Sequence, residues 1–556
     1  MKQETKNLYT AIILSFLIIF AVNHFFAPTR TSEVGLKDET KQTQNVPVVE
    51  KAEIGMKPEV MPLNEVLEKD GRIKIETPAL NGSIRLKGAR FDFLNLKKYK
   101  QTLENDSPNV ELLRPVGTEN PYFAEFGFLA TNPSLVPNSE TLWQADNLSL
   151  TPKTPVTLTF NNGAGVVFSR RISIDENYLM TISDTVKNNT ENFFEFYPYG
   201  RINRVYDPKQ NTRSVVHEGF TGVIDGVSKE IRVTDVKENA PKMFEGKNSW
   251  LGFSDRYWFT AFILDDDSNN TLTLSNNGAN NYQADFRGEP VRVAPNGSIV
   301  KTTRFFAGAK EIKLLDKYTK QDGIEKFDLA VDFGWYYFLT KPFFYILDFL
   351  YHLIGNMGWA ILLFAALLRL AMFPIANKSY DSMSKMKKIQ PKVMALQMAY
   401  KNDRMLLQQK TMELYKKEKI NPASGCLPMF IQIPIFFSLY KVLNIAIEIR
   451  HAPFVGWIKD LSAPDPLTIS VWSHIPLPSI LDIGVWPILM GLTMWLQQKL
   501  SPAPTNKEQA KMFVWLPLIF TLMLGHFASG LVIYWTLSNL LSLMQQKMIM
   551  YKNGVK

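Results

Sequence analysis

The sequence predicts an α+β membrane protein: an N-terminal signal anchor, a large extracytoplasmic antiparallel β-sandwich and a C-terminal five-helix transmembrane bundle, six spans in all. Three observations predict it. Apolar runs of spanning length occur at the N-terminus and again after residue 356, while residues 61–333 between them alternate polar and apolar with period two. Charge is segregated as well. Residues 28–340 carry 38 Lys+Arg against 42 Asp+Glu, and the rest of the chain 24 against 11, so the net +9 belongs to the membrane-proximal parts. A DNA-binding protein would carry its excess basic residues on the soluble region, which here is slightly acidic.

The first element is the anchor, residues 1–27. Leu8–Ala27 is a 20-residue run without a charge, preceded by Lys2 and Lys6. About 20 residues at 1.5 Å each cross a hydrocarbon core of roughly 30 Å. Phe25 spoils a small-x-small cleavage site and Pro28 follows, so a retained anchor with a cytoplasmic N-terminus is predicted, cleavage being the alternative. Residues 28–60 are polar, mixed in charge and poor in aromatics, and read as a linker.

Residues 61–333 read as the sandwich. Ser83-Ile84-Arg85-Leu86-Lys87, Val156-Thr157-Leu158-Thr159-Phe160 and Thr271-Leu272-Thr273-Leu274 alternate, and Asn81-Gly82, Asn161-Asn162-Gly163, Asn276-Asn277-Gly278 and Pro295-Asn296-Gly297 read as turns. Such sandwiches often bind sugars, which raises an envelope carbohydrate enzyme as an alternative. Asp265-Asp266-Asp267 reads as a solvated turn, and the six histidines lack ligand spacing, so no metal or other cofactor is expected. The single cysteine, Cys426, permits no intrachain disulfide and reads as a buried structural thiol.

Residues 334–356 form an amphipathic helix expected to lie in the membrane interface. Lys341, Tyr345, Asp348 and His352 make its polar stripe, opposite Phe343, Phe344, Ile346, Leu347, Phe349, Leu350 and Leu353.

Residues 357–550 hold five candidate spans: Met357–Asn377, Leu427–Ile447, Ile483–Leu500, Met512–Ala528 and Leu531–Met550, the last two parted by Ser529-Gly530 as a tight hairpin. The loop 378–425 holds 11 Lys+Arg and 4 Asp+Glu, whereas Glu448–Asp482 holds two and four. The positive-inside rule therefore puts 378–425 in the cytoplasm, together with the tail 551–556, and puts the β region outside. Segment 379–419 reads as a helical hairpin turning at Lys401-Asn402-Asp403. Its methionines, among them Met394, Met398 and Met405, form either its own core or a surface for varied partners.

Arg369 is the costly residue in these spans, at roughly 2.5–3.5 kcal/mol near mid-helix. If its helix runs to Asn377 it lies about 12 Å inside the membrane, and if the helix breaks near Pro374, about 7.5 Å, within reach of snorkelling. Gln432, Gln498 and Asn539 on other spans would line a hydrated cavity with it, or else make interhelical hydrogen bonds. A transporter would show paired intramembrane charges or inverted repeats, and neither is present in the sequence.

The strings LLRLAMFPI, MSKMKKIQPKVMAL, NPASGCLPMFIQIPIFFSLYKVL, PFVGWIKDLSAPDP, PILMGLTMWLQQKLSP and SGLVIYWTLSNLL, in this order, resemble the YidC-type membrane protein insertases with a large periplasmic domain. The resemblance implies a bacterial inner-membrane protein, not an enzyme, that inserts and helps fold nascent membrane proteins, alone or with the Sec translocon (SecYEG, SecDF). It further implies ribosome contact through the cytoplasmic loops and a groove open to cytoplasm and lipid. By that resemblance Arg369, Gln498 and Trp535 match groove residues, Gln432 is their neighbour, and the span bearing Pro428 and Pro434 matches the helix that nascent segments slide along. One departure is Ala365, where members often carry a hydroxyl residue one turn before the arginine.

Overall fold

The computed structural model describes residues 47–51, 60–206, 216–264, 267–400, 403–421, 427–501 and 507–555. The anchor, most of the linker, Asp265-Asp266, Lys401-Asn402 and Cys426 lie outside the described residues. The chain divides into two compact units, one ending at Asp332 and the other beginning at Phe333.

Period-two sequence becomes strand throughout the first unit, in an 11-stranded and a 9-stranded sheet. Their pairings are antiparallel except where Arg72–Glu76 meets Ser149–Leu150. Three of the turn signals end strands: Gly163 and Gly278 at φ +71° and +82°, and Asn296 at +54°, are left-handed positions that suit glycine and asparagine. Asn81-Gly82 is different. It lies inside the strand Leu80–Arg85, where a Cβ on Gly82 would meet the Phe93 carbonyl oxygen at 2.1 Å. Gly82 is there for close strand packing and not for a turn.

The apolar sides of the two sheets face each other. Phe91 and Phe126 of one sheet each stand 5.5 Å, ring to ring, from Phe305 of the other, and Phe286 stands 4.9 Å from Phe262. Each buried phenylalanine is worth roughly 1.5–3 kcal/mol. The other face of the 11-stranded sheet is polar yet covered. Glu125 pairs with Arg90 at 2.9 Å and with Arg201, all three buried. A short helix α1 (Leu63–Glu68) precedes the strands, and α2 (Ile312–Lys320) follows them.

The second unit is helical: α3 (Tyr337–Ile354), α4 (Met357–Ala399), α5 (Arg404–Lys417), α6 (Leu427–Ile445), α7 (Ile469–Ser473), α8 (Val485–Leu500), α9 (Lys507–Leu524) and α10 (Ser529–Lys552). Among the described residues α4 alone is both long and apolar enough to cross a membrane, while Phe430–Ile445 and Phe513–Leu524 are apolar but shorter. α10 packs along α4 and α8, α9 against α8, and α3 against α4 and α6.

Three boundaries differ from expectation. First, α4 does not end at Asn377 or break at Pro374, but runs 43 residues through Pro374 and Pro391, so the first arm of the hairpin continues the apolar helix. Second, Ser529-Gly530 is the first turn of α10 and not a linker. Its amides donate to the carbonyls of Ala463 (2.7 Å) and Leu461 (3.0 Å), which satisfies donors a helix start leaves open. Third, the two faces of α3 are divided otherwise. Phe343, Phe344, Leu347 and Leu350 are buried together with Asp348, whereas Ile346, Phe349 and Leu353 are exposed. The helix packs against α4 and α6, and Phe343 meets Phe364 of α4 edge-on at 4.9 Å.

Candidate functional site

Arg369 sits half-buried on α4, and its partner is a hydroxyl. Nε and Nη2 donate to Ser538 Oγ on α10 at 3.0 and 2.6 Å, and among the described residues no carboxylate pairs with it. Hydrogen bonds to a charged group are worth about 1.5–3 kcal/mol net, similar in size to the cost of placing the charge there. One turn before Ser538 on α10, the buried Tyr534 hydroxyl accepts from Gln432 Nε2 of α6 at 3.0 Å. Gln432, Tyr534, Ser538 and Arg369 thus form one polar chain across three helices.

The chain has a helical origin. Tyr534, Ser538, Ser542 and Gln545 recur at three- and four-residue intervals on α10, one polar stripe on an apolar helix. Further along, Gln545 donates to Asn377 Oδ1 (2.7 Å) and to the Phe373 carbonyl (3.3 Å) of α4. At the end of α10, Asn553 donates to Asp381 Oδ1 (2.7 Å), whose carboxyl is held below the usual range first by Lys385. This stripe is the signal that would have found Tyr534 and Ser538 from sequence.

The remaining anticipated residues fall elsewhere. Trp535 turns away from the polar chain and packs edge-on to Phe436 at 4.6 Å and Phe520 at 5.9 Å. Gln498, near the end of α8, donates to the Phe513 carbonyl of α9. That carbonyl is four residues before Pro517, which has no N–H to offer it, so Gln498 supplies the missing donor. Asn539 donates to Thr493 of α8 at 3.3 Å, an interhelical hydrogen bond. Pro434 lies inside α6 and leaves the Phe430 carbonyl without its helical donor, while Pro428 lies in the first turn.

The outside of the unit is apolar. Leu363, Leu367 and Leu370 of α4, Ile433 and Phe437 of α6, and Leu492 and Trp495 of α8 are exposed. A polar chain inside helices with apolar outer faces departs from the soluble pattern and suits a lipid surrounding.

Residues 72–346 match the family model of the YidC periplasmic domain, and residues 349–555 that of the 60Kd inner membrane protein. The chain is 45% identical to the membrane protein insertase YidC of Beijerinckia indica, over 100% of this chain and 97% of that protein. The chain belongs to the YidC family of membrane protein insertases. The YidC of Rickettsia felis is likewise 45% identical, over 98% of this chain and 99% of its own length. A crystal structure of an active YidC insertase with its first transmembrane domain aligns over 86% of this chain at 17% identity, with a TM-score of 0.36. As a YidC-family member the chain is a bacterial inner-membrane protein whose β-rich unit is the periplasmic domain and whose partners are nascent membrane proteins in the bilayer.

Proposed function

We propose that this chain inserts membrane proteins through a polar groove built on Arg369 and Gln432, with Gln498 and Trp535, which lie off the polar chain, as further groove residues and the α6 segment bearing Pro428 and Pro434 as the surface that substrates contact. The observation that carries it is the polar chain Gln432–Tyr534–Ser538–Arg369 inside helices whose outer faces are apolar. A positive charge held by a hydroxyl keeps its field available. It draws the acidic extracytoplasmic tail of a substrate partway across, while polar side chains shorten the hydrophobic path.

The accompanying topology has six spans: the anchor 1–27 and five in 357–550. The linker 28–60 and β-sandwich 61–333 lie in the periplasm, the helix 334–356 in the interface, and the hairpin 378–425, the tail 551–556 and both termini in the cytoplasm. Basic residues concentrated in 378–425 support that orientation. The same charge fits ribosome contact, and the family's action fits work beside the Sec translocon (SecYEG, SecDF). No reaction is catalysed in this reading, which needs neither nucleotide nor metal.

Depleting the protein and measuring protease protection of small membrane proteins with acidic periplasmic tails tests it. Insertion should fall on depletion and return with the unmodified chain but not with Arg369→Ala. Unchanged insertion on depletion would refute it.

A further inference from the structure

The connection from α6 to α8 has an apolar exterior of its own. Between Lys459 and Lys499 the sequence holds no lysine or arginine, three aspartates and one histidine. Each aspartate is bound into the connection itself. Asp460 Oδ1 accepts from the His451 and Ser462 amides at 3.1 and 2.8 Å and from Ser462 Oγ at 2.7 Å. The buried Asp465 accepts from Trp457 Nε1 (2.8 Å), the Leu467 amide (3.0 Å) and the Trp486 amide in the first turn of α8 (2.8 Å). Asp482 accepts from the amide and the hydroxyl of Ser470 at 2.9 and 2.6 Å.

The last of these bonds helps close residues 468–484 into a hairpin seated on the start of α8. The Ile469 amide donates to the Ile483 carbonyl at 3.0 Å, and Thr468 bridges to Gly484, the residue that precedes α8. A Cβ on Gly484 would lie 2.4 Å from the Asp465 side chain, so the base is closely packed. The tip is built the other way. Val471, Trp472, Ile475, Ile480 and Leu481 are 45–65% exposed, five large apolar side chains within residues 471–481. Pro476 and Pro478 bring no N–H that needs a partner, and the Leu481 amide closes a turn on the Pro478 carbonyl at 2.8 Å. A loop made for water shows its carboxylates and hides its large side chains. Here the carboxylates are satisfied internally and the apolar groups, a tryptophan among them, are left outside, the composition of a membrane–water interface.

We propose that the tip of this hairpin, residues 471–481, lies in the headgroup layer of the bilayer and holds the α8 end of the bundle there by apolar contact with lipid. The occupant is lipid and not another protein because the face continues a lipid-facing one: the hairpin is rooted on α8, whose Ile488, Leu489 and Leu492 are exposed and apolar. With no lysine or arginine in the segment, the contact does not depend on anionic headgroups. The inference rests on α8 being one of the spans proposed above, and not on the Arg369 groove.

The test uses the full chain carrying Cys426→Ser, reconstituted in phosphatidylcholine vesicles with and without phosphatidylglycerol. A nitroxide is attached through Ile475→Cys or Ile480→Cys at the tip, through Leu492→Cys on α8, and through Leu148→Cys at an exposed position of the β-rich unit. Power saturation compares collisions with oxygen, which concentrates in lipid, and with a nickel chelate, which stays in water. The oxygen-to-nickel ratio at both tip sites is expected to exceed that at Leu148→Cys by about threefold or more, to stay below that at Leu492→Cys, and to change less than about twofold with phosphatidylglycerol. Adding Trp472→Ser and Leu481→Ser is expected to lower the ratio at Ile475→Cys toward that at Leu148→Cys. The proposal is overturned if the tip sites match Leu148→Cys while Leu492→Cys stays in lipid, or if the tip is shielded from both reagents, which would place protein on it. A tip that enters lipid only with phosphatidylglycerol, or that ignores the two serines, overturns it as well. Water at Leu492→Cys would overturn the α8 span together with the tip.

Discussion

Arg369 on α4 donates twice to the Ser538 hydroxyl on α10, at 3.0 and 2.6 Å, so the charge of one helix is held by the polar stripe of another. A hydroxyl positions the guanidinium without neutralising it. The fork orients the charge, and the charge remains for a substrate.

From this the two residues should fail differently. Arg369→Ala removes the charge and should lower insertion of substrates with acidic tails about tenfold or more, the equivalent of losing 1.5–3 kcal/mol. Ser538→Ala leaves the charge and should cost less, about threefold. Protease-protection kinetics on matched acidic and neutral tails check both. An equal loss for both tails would argue against a role for charge.

Gln498 gives a prediction about stability. Removing its amide in Gln498→Leu leaves the exposed Phe513 carbonyl without a donor, at a cost of about 0.5–1.5 kcal/mol. Pro517→Ala restores the helical N–H, so the double variant should lose less than Gln498→Leu does by itself. Thermal unfolding of the four proteins in detergent measures the coupling. Strict additivity would show that the two residues are unrelated.

Burial pushes the Asp285 carboxyl up to about 7 from its ordinary 3.8, against the opposing pull of Gln283 and Arg201. The unfolded chain ionises this group near 3.8, so between about pH 4 and 7 folding takes up a proton. Stability from this residue is therefore full at low pH and declines as pH rises through that window, by on the order of 4 kcal/mol at most. Asp285→Asn should match the unmodified chain near pH 4 and exceed it near pH 8. Unfolding midpoints at the two pH values decide, and a pH-independent difference would contradict it.

Gly358, in the first turn of α4, has no room for a side chain. A Cβ there would sit 2.0 Å from the Phe454 ring. Gly358→Ala should destabilise the helical unit by about 1–3 kcal/mol, and Phe454→Leu should recover part of it. Detergent unfolding of the single and double variants is the measurement, and no recovery would place the clash elsewhere.

Much of the fold was legible because its signals are local. Alternation located Val156–Asn161 and Asn270–Asn276, and Gly163 and Gly278 turned where a left-handed backbone was needed. Gly82 misled because the same residue type serves close packing. Arg369 was legible as a cost but not its partner, since Ser538 lies 169 residues away and only helix packing joins them. Gln498 was legible as polar, but that it replaces a missing proline N–H requires knowing which helix lies beside it. The contact of Pro47 with the sheet was legible from nothing local, because Arg287 reaches its carbonyl across 240 residues of sequence.

The uninterrupted α4 has a mechanical consequence. Forty-three residues at 1.5 Å make a rod about 64 Å long, with Arg369 in its upper third and the basic hairpin arm at its far end. α10 grips the rod at Arg369 through Ser538 and again at Asn377 through Gln545. Pro374 and Pro391, each missing one rung of the ladder, are the two places where the rod can flex.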